Sequence, residues 1–187
     1  AEVLDTEQVE TIIETALELL ASQGMNFLEG SSRDLLRNAG ATVDGEVVRF
    51  DPDFVRETIA HAPAEFGLRA RNPAHDLDIG GNRVVFSSVG GPAFCSDLDN
   101  GRRPGSYAEM CDYLKLVQSL NILHQEGGGA FEALDLPATT RHLDLNLAQW
   151  RLLDKNCQGY ALGRERTVDA LEMAGNALDT DRDGLAQ

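Results

Sequence analysis

The chain reads as an α/β protein built in two parts. An α+β stretch with short antiparallel strands leads into the opening of a parallel sheet with helical crossovers. Three observations support this reading. Up to about residue 104, amphipathic helical segments and short strands alternate between Gly, Asn and Pro breakers. After a helix that opens at Ser106, residues 122–178 follow a strand–helix–strand–helix rhythm, the pattern of parallel strands joined by helices. The change of rhythm falls on Gly-Arg-Arg-Pro-Gly at 101–105, so the expected parts are residues 1–104 and 105–187.

Each element has a local reason. In residues 6–22, Val9, Ile12, Ile13, Ala16, Leu17 and Leu20 make one apolar helical face. Asp5 and Gln8 have the spacing of a capping box, and Gly24 supplies a stop. A short helix is expected over 32–38, a strand over 46–50 and a helix over 53–61, stopped by Pro63. Residues 66–71, 77–79 and 83–86 look like strands, and Asp99-Asn100-Gly101 is a hairpin-turn signal, so this stretch reads as antiparallel. Ser106 with Glu109 forms a second capping box, opening a helix to about Leu120. Strands are expected at 122–125 and 157–162, and helices at 139–154 and 165–178. Trp150, with Leu143, Leu147 and Leu153 at helical spacing, is expected in the core.

Two βα units cannot cover both faces of a parallel sheet or close a barrel. The sheet is therefore expected to be completed either by a second copy, making a homo-oligomer, or by further chain beyond Gln187. The second is the preferred expectation.

Composition excludes several classes. The 187 residues carry 31 acidic and 16 basic side chains, a net charge of −15. That excess argues against nucleic acid or an anionic membrane surface as partner. Cys95, Cys111 and Cys157 are widely spaced and form no C-x-x-C, so neither a zinc ribbon nor a disulfide framework is encoded. No apolar run approaches membrane-spanning length, and residues 1–5 lack the basic start and apolar stretch of a secretory signal. A cytoplasmic location is expected.

The motifs differ in value. Asp179-Thr-Asp-Arg-Asp-Gly184 opens like a calcium loop but lacks the Glu at loop position 12, so it reads as a solvated acidic turn. His124 and His142 lie near Glu126 and Asp144, but no H-x-x-x-H or H-E-x-x-H pair exists. No metal site is expected, and His142 reads as a hydrogen-bonding residue of a helix. Ser87-Ser-Val-Gly-Gly-Pro92 reads as a turn, because no G-x-S-x-G elbow is present. The most suggestive place is Gly127, Gly128 and Gly129. They follow His124-Gln125-Glu126 at the carboxyl end of an expected parallel strand, where α/β folds build their sites. Their spacing is not that of a phosphate-binding loop, and a turn is the alternative. Tyr160, near the end of the second expected strand, faces either a pocket or the core.

Several segments occur in a telling order. They are Leu-Leu-Arg-Asn-Ala-Gly-Ala-Thr-Val-Asp at 35–44, Ala-Arg-Asn-Pro at 70–73 and Leu-Asp-Ile-Gly-Gly at 77–81. Val-Val-Phe at 84–86, Leu-Pro-Ala-Thr-Thr-Arg-His-Leu at 136–143 and Gly-Tyr-Ala-Leu-Gly at 159–163 follow. Together they resemble the N-terminal part of the trimethylamine methyltransferase (MttB) superfamily, which includes the glycine betaine:corrinoid methyltransferases. The resemblance implies an incomplete TIM (β/α)8 barrel behind an N-terminal extension. It implies methyl transfer from a quaternary or tertiary amine to the Co(I) corrinoid of a partner protein, with no cofactor bound directly and the fragment alone inactive. A cation of that kind calls for aromatic faces, a carboxylate and a dry cavity. By barrel position, the expected substrate-side residues are His124, Gln125, Glu126 and Tyr160. The expected corrinoid-facing loop is Gly127, Gly128 and Gly129. The competing expectation is a non-catalytic module that binds a small amine or docks a corrinoid protein.

Overall fold

The computed structural model describes residues 3–91, 94–159 and 162–185. The chain divides into two compact units, Ala1–Pro63 and Ala64–Gln187.

In the first unit the expected opening helix forms as α1 (Thr6–Ser22). Its capping box closes in both directions. The Gln8 N–H donates to Asp5 Oδ1 at 2.9 Å, and the Asp5 N–H donates to Gln8 Oε1 at 3.0 Å. There follow β1 (Met25–Asn26), α2 (Gly30–Asn38), β2 (Thr42–Asp44), β3 (Val47–Arg49) and α3 (Pro52–Ala60). The strands form an antiparallel sheet in the order β1-β3-β2, with Val48 opposite both Met25 and Val43. Val48 is fully buried at the sheet centre. The apolar stripe of α1 is only partly covered: Leu17 is buried, whereas Ile12 is 57% exposed.

Helix α2 begins two residues earlier than its serines suggest, because Glu29 caps it. Its carboxylate accepts the Ser31 and Ser32 N–H groups at 2.9 and 2.6 Å. Hydrogen bonds from Ser31 and then Ser32 bring the Glu29 pKa down to about 2. A carboxyl depressed in the folded state stabilises at pH above its unfolded value, and that contribution disappears as pH falls through the folded pKa. Melting temperature is therefore expected to fall between about pH 4.5 and pH 2. Glu29→Gln should flatten that limb; an unchanged acid limb would show that the cap does not contribute to it.

The second unit starts with two antiparallel pairs. β4 (Glu65–Leu68) pairs with β5 (Leu77–Gly80), and β6 (Phe94–Asp97) with β7 (Gly101–Pro104) across the expected hairpin turn. The helices are α4 (Tyr107–Ser119), α5 (Arg141–Leu152), α6 (Arg164–Leu178) and α7 (Arg182–Leu185). The capping box at Ser106 and Glu109 forms as expected. In the acidic turn after α6, Asp181 Oδ1 accepts the Gly184 N–H at 2.9 Å.

Residues 83–86 do not form the expected antiparallel strand. Instead Ser87 makes a parallel bridge to Gln125, and Gln125 makes another to Asn156. The Phe86 carbonyl accepts the His124 N–H at 2.8 Å, Gln125 O accepts the Ser88 N–H at 3.2 Å, and Asn156 O accepts the Glu126 N–H at 2.9 Å. The parallel order Ser87, Gln125, Asn156 follows the chain, with α4 in the first crossover and α5 in the second. The strand expected at 122–125 is thus a single rung at Gln125; the next rung, at Asn156, falls just before the strand expected at 157–162, of which residues 160 and 161 lie outside the described residues. No closed barrel is present among the described residues.

The core of this unit packs α4 against α5: Met110, Leu114 and Val117 meet Ala133, Leu145, Ala148 and Leu153. Leu153 is buried as expected, but Leu143 and Leu147 are each 38% exposed. The inward face of α5 carries His142, Asn146 and Gln149 instead, at i, i+4 and i+7. His142 and Gln149 are each anchored through one side-chain nitrogen, while His142 Nδ1 and Gln149 Oε1 have no hydrogen-bond partner among the described residues. His142 Nε2 lies 2.7 Å from Asp169 Oδ2 on α6, and Gln149 reaches the segment that carries the glycines.

Candidate functional site

The three parallel rungs run directly into glycine-rich turns. Successive side chains of an extended segment point to opposite faces. Cys157 packs against the core of α4 and α5, and Glu126 bonds to Gln149 on α5, so both face the helices. By the same alternation Gln125, one residue before Glu126, is expected on the other face; the Asn156 side chain donates to Leu68 O at 3.2 Å.

Glu126 is fully buried. Its Oε1 accepts the Gly129 N–H at 2.6 Å, and its Oε2 accepts the Gly128 N–H at 2.9 Å and Gln149 Nε2 at 2.7 Å. Burial raises its pKa above the usual carboxylate range, with these bonds opposing the rise. Gln149 Nε2 also donates to Gln158 O at 3.0 Å, tying the glycine turn to the next parallel segment. Burial, with the Glu126 charge adding to it, pushes the Cys157 thiol up to about 12, so Cys157 is not a thiolate near neutrality.

The glycines at 127–129 are held against a second glycine turn, at 87–91. The Gly127 N–H donates to Ser88 Oγ at 3.0 Å, and the Gly91 N–H donates to Gly129 O at 2.9 Å. The backbones then touch. A Cβ on Gly127 would overlap the Ser88 carbonyl oxygen, and one on Gly90 would overlap the Gly127 carbonyl oxygen. Only glycine at both positions lets the turns close on each other. In front of them lies a cavity of about 410 Å³, lined by Gly90, Gly91, the glycines 127–129, Phe131, Glu132, Gln158 and their neighbours.

The other expected site residues fall as follows. His124 pins the neighbouring segment: its Nδ1 accepts the Phe86 N–H at 2.8 Å, and its ring stacks on Phe86 with centroids 5.9 Å apart. Tyr160 lies outside the described residues. Glu126 stands behind the glycine turn rather than in the cavity lining. Sequence reasoning missed Gly90, Gly91, Phe131, Gln149 and Gln158. The Gly-Gly pair at 90–91 was visible, but nothing local tied it to a turn nearly forty residues on. Among the described residues, no three His, Cys, Asp or Glu side chains converge on a common point that could hold a metal ion. No helix among them is long and apolar enough to cross a membrane.

The sequence model of one protein family, Trimethylamine methyltransferase (MTTB), matches residues 1–183. The chain belongs to this family. Among its relatives in the trimethylamine methyltransferase family is the glycine betaine methyltransferase of Desulfitobacterium hafniense (strain Y51). It is 33% identical over 172 residues, covering 92% of this chain and 36% of the relative. The proline betaine:corrinoid methyltransferase of Eubacterium limosum is 25% identical over 186 residues, covering 98% of this chain and 37% of the relative. The trimethylamine methyltransferase MttB of Desulfitobacterium hafniense (strain DSM 10664 / DCB-2) is 31% identical over 86 residues, or 45% of this chain and 17% of that protein. This family member thus spans little more than a third of the length of the first two relatives.

Proposed function

We propose that this chain is part of a methyltransferase that moves a methyl group from a quaternary or tertiary amine to the corrinoid of a partner protein. The observation that carries this reading is the cavity in front of the two glycine turns, at the carboxyl end of the parallel rungs. The names of the relatives support the same chemistry. The rungs at Ser87, Gln125 and Asn156, in chain order with helical crossovers, support a reading as the opening of a TIM barrel.

The chain's own residues divide the work. Strand alternation supports Gln125 on the face away from the helices, where it would meet the amine from inside such a barrel. Phe131, largely buried, offers an aromatic ring to the cavity, and an aromatic face attracts an ammonium without competing for the methyl. The bare backbone of the glycines 127–129 lets a flat macrocycle approach closely, which a rim of side chains would prevent. The corrinoid, brought by the partner, supplies the reduced cobalt that takes the methyl, and the amine leaves with the bonding electron pair.

Methyl transfer in the polypeptide that contains residues 1–187 tests this. The assay supplies amine, partner corrinoid protein and a Co(I)-generating reductant, and follows corrinoid absorbance. Gly128 has φ +93°, so any side chain strains the backbone, and a Cβ there would lie 3.0 Å from Gln158 Oε1. Gly128→Ala introduces the strain, and Gly128→Leu adds bulk. The leucine variant is expected to slow transfer at least roughly tenfold beyond the alanine variant, with amine affinity changed far less. Equal rates in the two variants would remove the turn from the transfer face. An amine-binding polypeptide with no transfer at all would favour the non-catalytic module.

A further inference from the structure

Successive backbone N–H groups of a turn can gather into a concavity that takes an anion. The N–H groups of Gly128 and Gly129 converge in this way. Here the anion is part of the chain. The Glu126 carboxylate holds both amides, one on each oxygen, and takes the Gln149 Nε2–H as well. Every one of these partners is an N–H donor, the set that suits an ionised carboxylate.

A buried carboxylate ordinarily has a cationic partner. Among the described residues, Glu126 has none. The nearest element on one side, α5, presents the neutral Gln149. From α4 Tyr113 senses the Glu126 charge, and from the adjacent parallel segment Cys157 does; both titrate well above neutrality. The turn at 87–91 contributes serine and backbone. At the cavity edge Glu132 is already paired with Arg141 at 3.1 Å. The Glu126 carboxylate is therefore held by the backbone N–H groups of Gly128 and Gly129, two of the residues that line the cavity.

Resting on the reading of this cavity as the amine site, we infer that Glu126 is a positioning residue that sets the cavity's charge preference without touching the ligand. By filling the turn's amides with a carboxylate that lacks a counter-charge, it denies the turn to phosphate-like anions. It also favours a methylated ammonium over a neutral group of the same shape.

Choline and its neutral isostere 3,3-dimethylbutan-1-ol separate charge from shape. In the polypeptide containing residues 1–187, labelled with 15N-glycine, choline is expected to shift the amide signals of Gly90, Gly91 and the glycines 127–129. Choline should bind about tenfold or more tightly than the alcohol. In Glu126→Gln that preference should fall to near unity. Choline affinity in the unsubstituted protein should weaken as pH falls through the Glu126 pKa, while affinity for the alcohol stays flat. A Glu126→Gln protein that keeps the tenfold preference overturns the inference and leaves the amine-site reading standing. If Glu126→Gln does not fold, the acid limb decides: choline affinity that does not weaken as pH is lowered across the range in which the protein stays folded overturns the inference. Choline binding that leaves the five glycine signals unmoved would sink the amine-site reading itself, and the inference with it.

Discussion

Lys155→Met is expected to lower the melting temperature of the second unit by about 10 °C. Lys155 is 4% exposed, and its Nζ donates to three carbonyls: Val117 and Leu120 at 2.9 Å and Leu123 at 2.8 Å. Two of these lie at the end of α4, whose last carbonyls have no helical partner. Burial lowers the Lys155 pKa, with the neighbouring Asp154 opposing the shift. Methionine keeps the aliphatic volume and removes all three donors. Leaving buried carbonyls unpaired costs roughly 1–3 kcal/mol each, less where water reaches them, so about 3–5 kcal/mol in all. For a unit of this size each kcal/mol is worth about 2–5 °C. Circular-dichroism melts measure it directly, and a shift under about 2 °C would mean that Lys155 is not the cap of α4.

Gly127→Ala is expected to be nearly as costly and to act on the cavity as well. The new methyl would overlap the Ser88 carbonyl oxygen, which is backbone and cannot rotate away. The turn at 87–91 must move, and the bonds from Gly127 N–H to Ser88 Oγ and from Gly91 N–H to Gly129 O stretch with it. Overpacking of this kind costs about 1–3 kcal/mol. Gly91→Ala is the informative comparison, because a Cβ there meets no atom within 4 Å although its φ of +98° is strained. Melts of the two variants, with hydrogen exchange at Gly129, should show the larger loss and faster exchange for Gly127→Ala. The reverse order would show that the turns do not close on each other in solution.

Much of the local structure was legible from short-range chemistry. The capping boxes at Asp5 and Ser106, the turn at Asp99-Asn100-Gly101 and the helices they border depend on residues a few positions apart. Such signals survive in sequence because the interacting groups are neighbours. The helical face of α5 was misread because periodicity reports where apolar residues cluster, not which face has partners. His142 and Gln149 turn inward because Asp169 and Glu126 await them, and Leu143 and Leu147 are left outside.

By itself the sequence determined the family, the helices and their caps, and the importance of the glycines after Glu126. Only the tertiary structure decided what those glycines do. It brought the turn at 87–91 against the turn at 127–129, made Phe86–Ser88 a parallel rung, and put Glu126 behind the cavity wall. The reason is physical: a hydrogen bond between Gly91 and Gly129, or between Glu126 and Gln149, joins residues whose spacing along the chain carries no periodicity. Backbone approach between two glycines leaves no side-chain pattern to read.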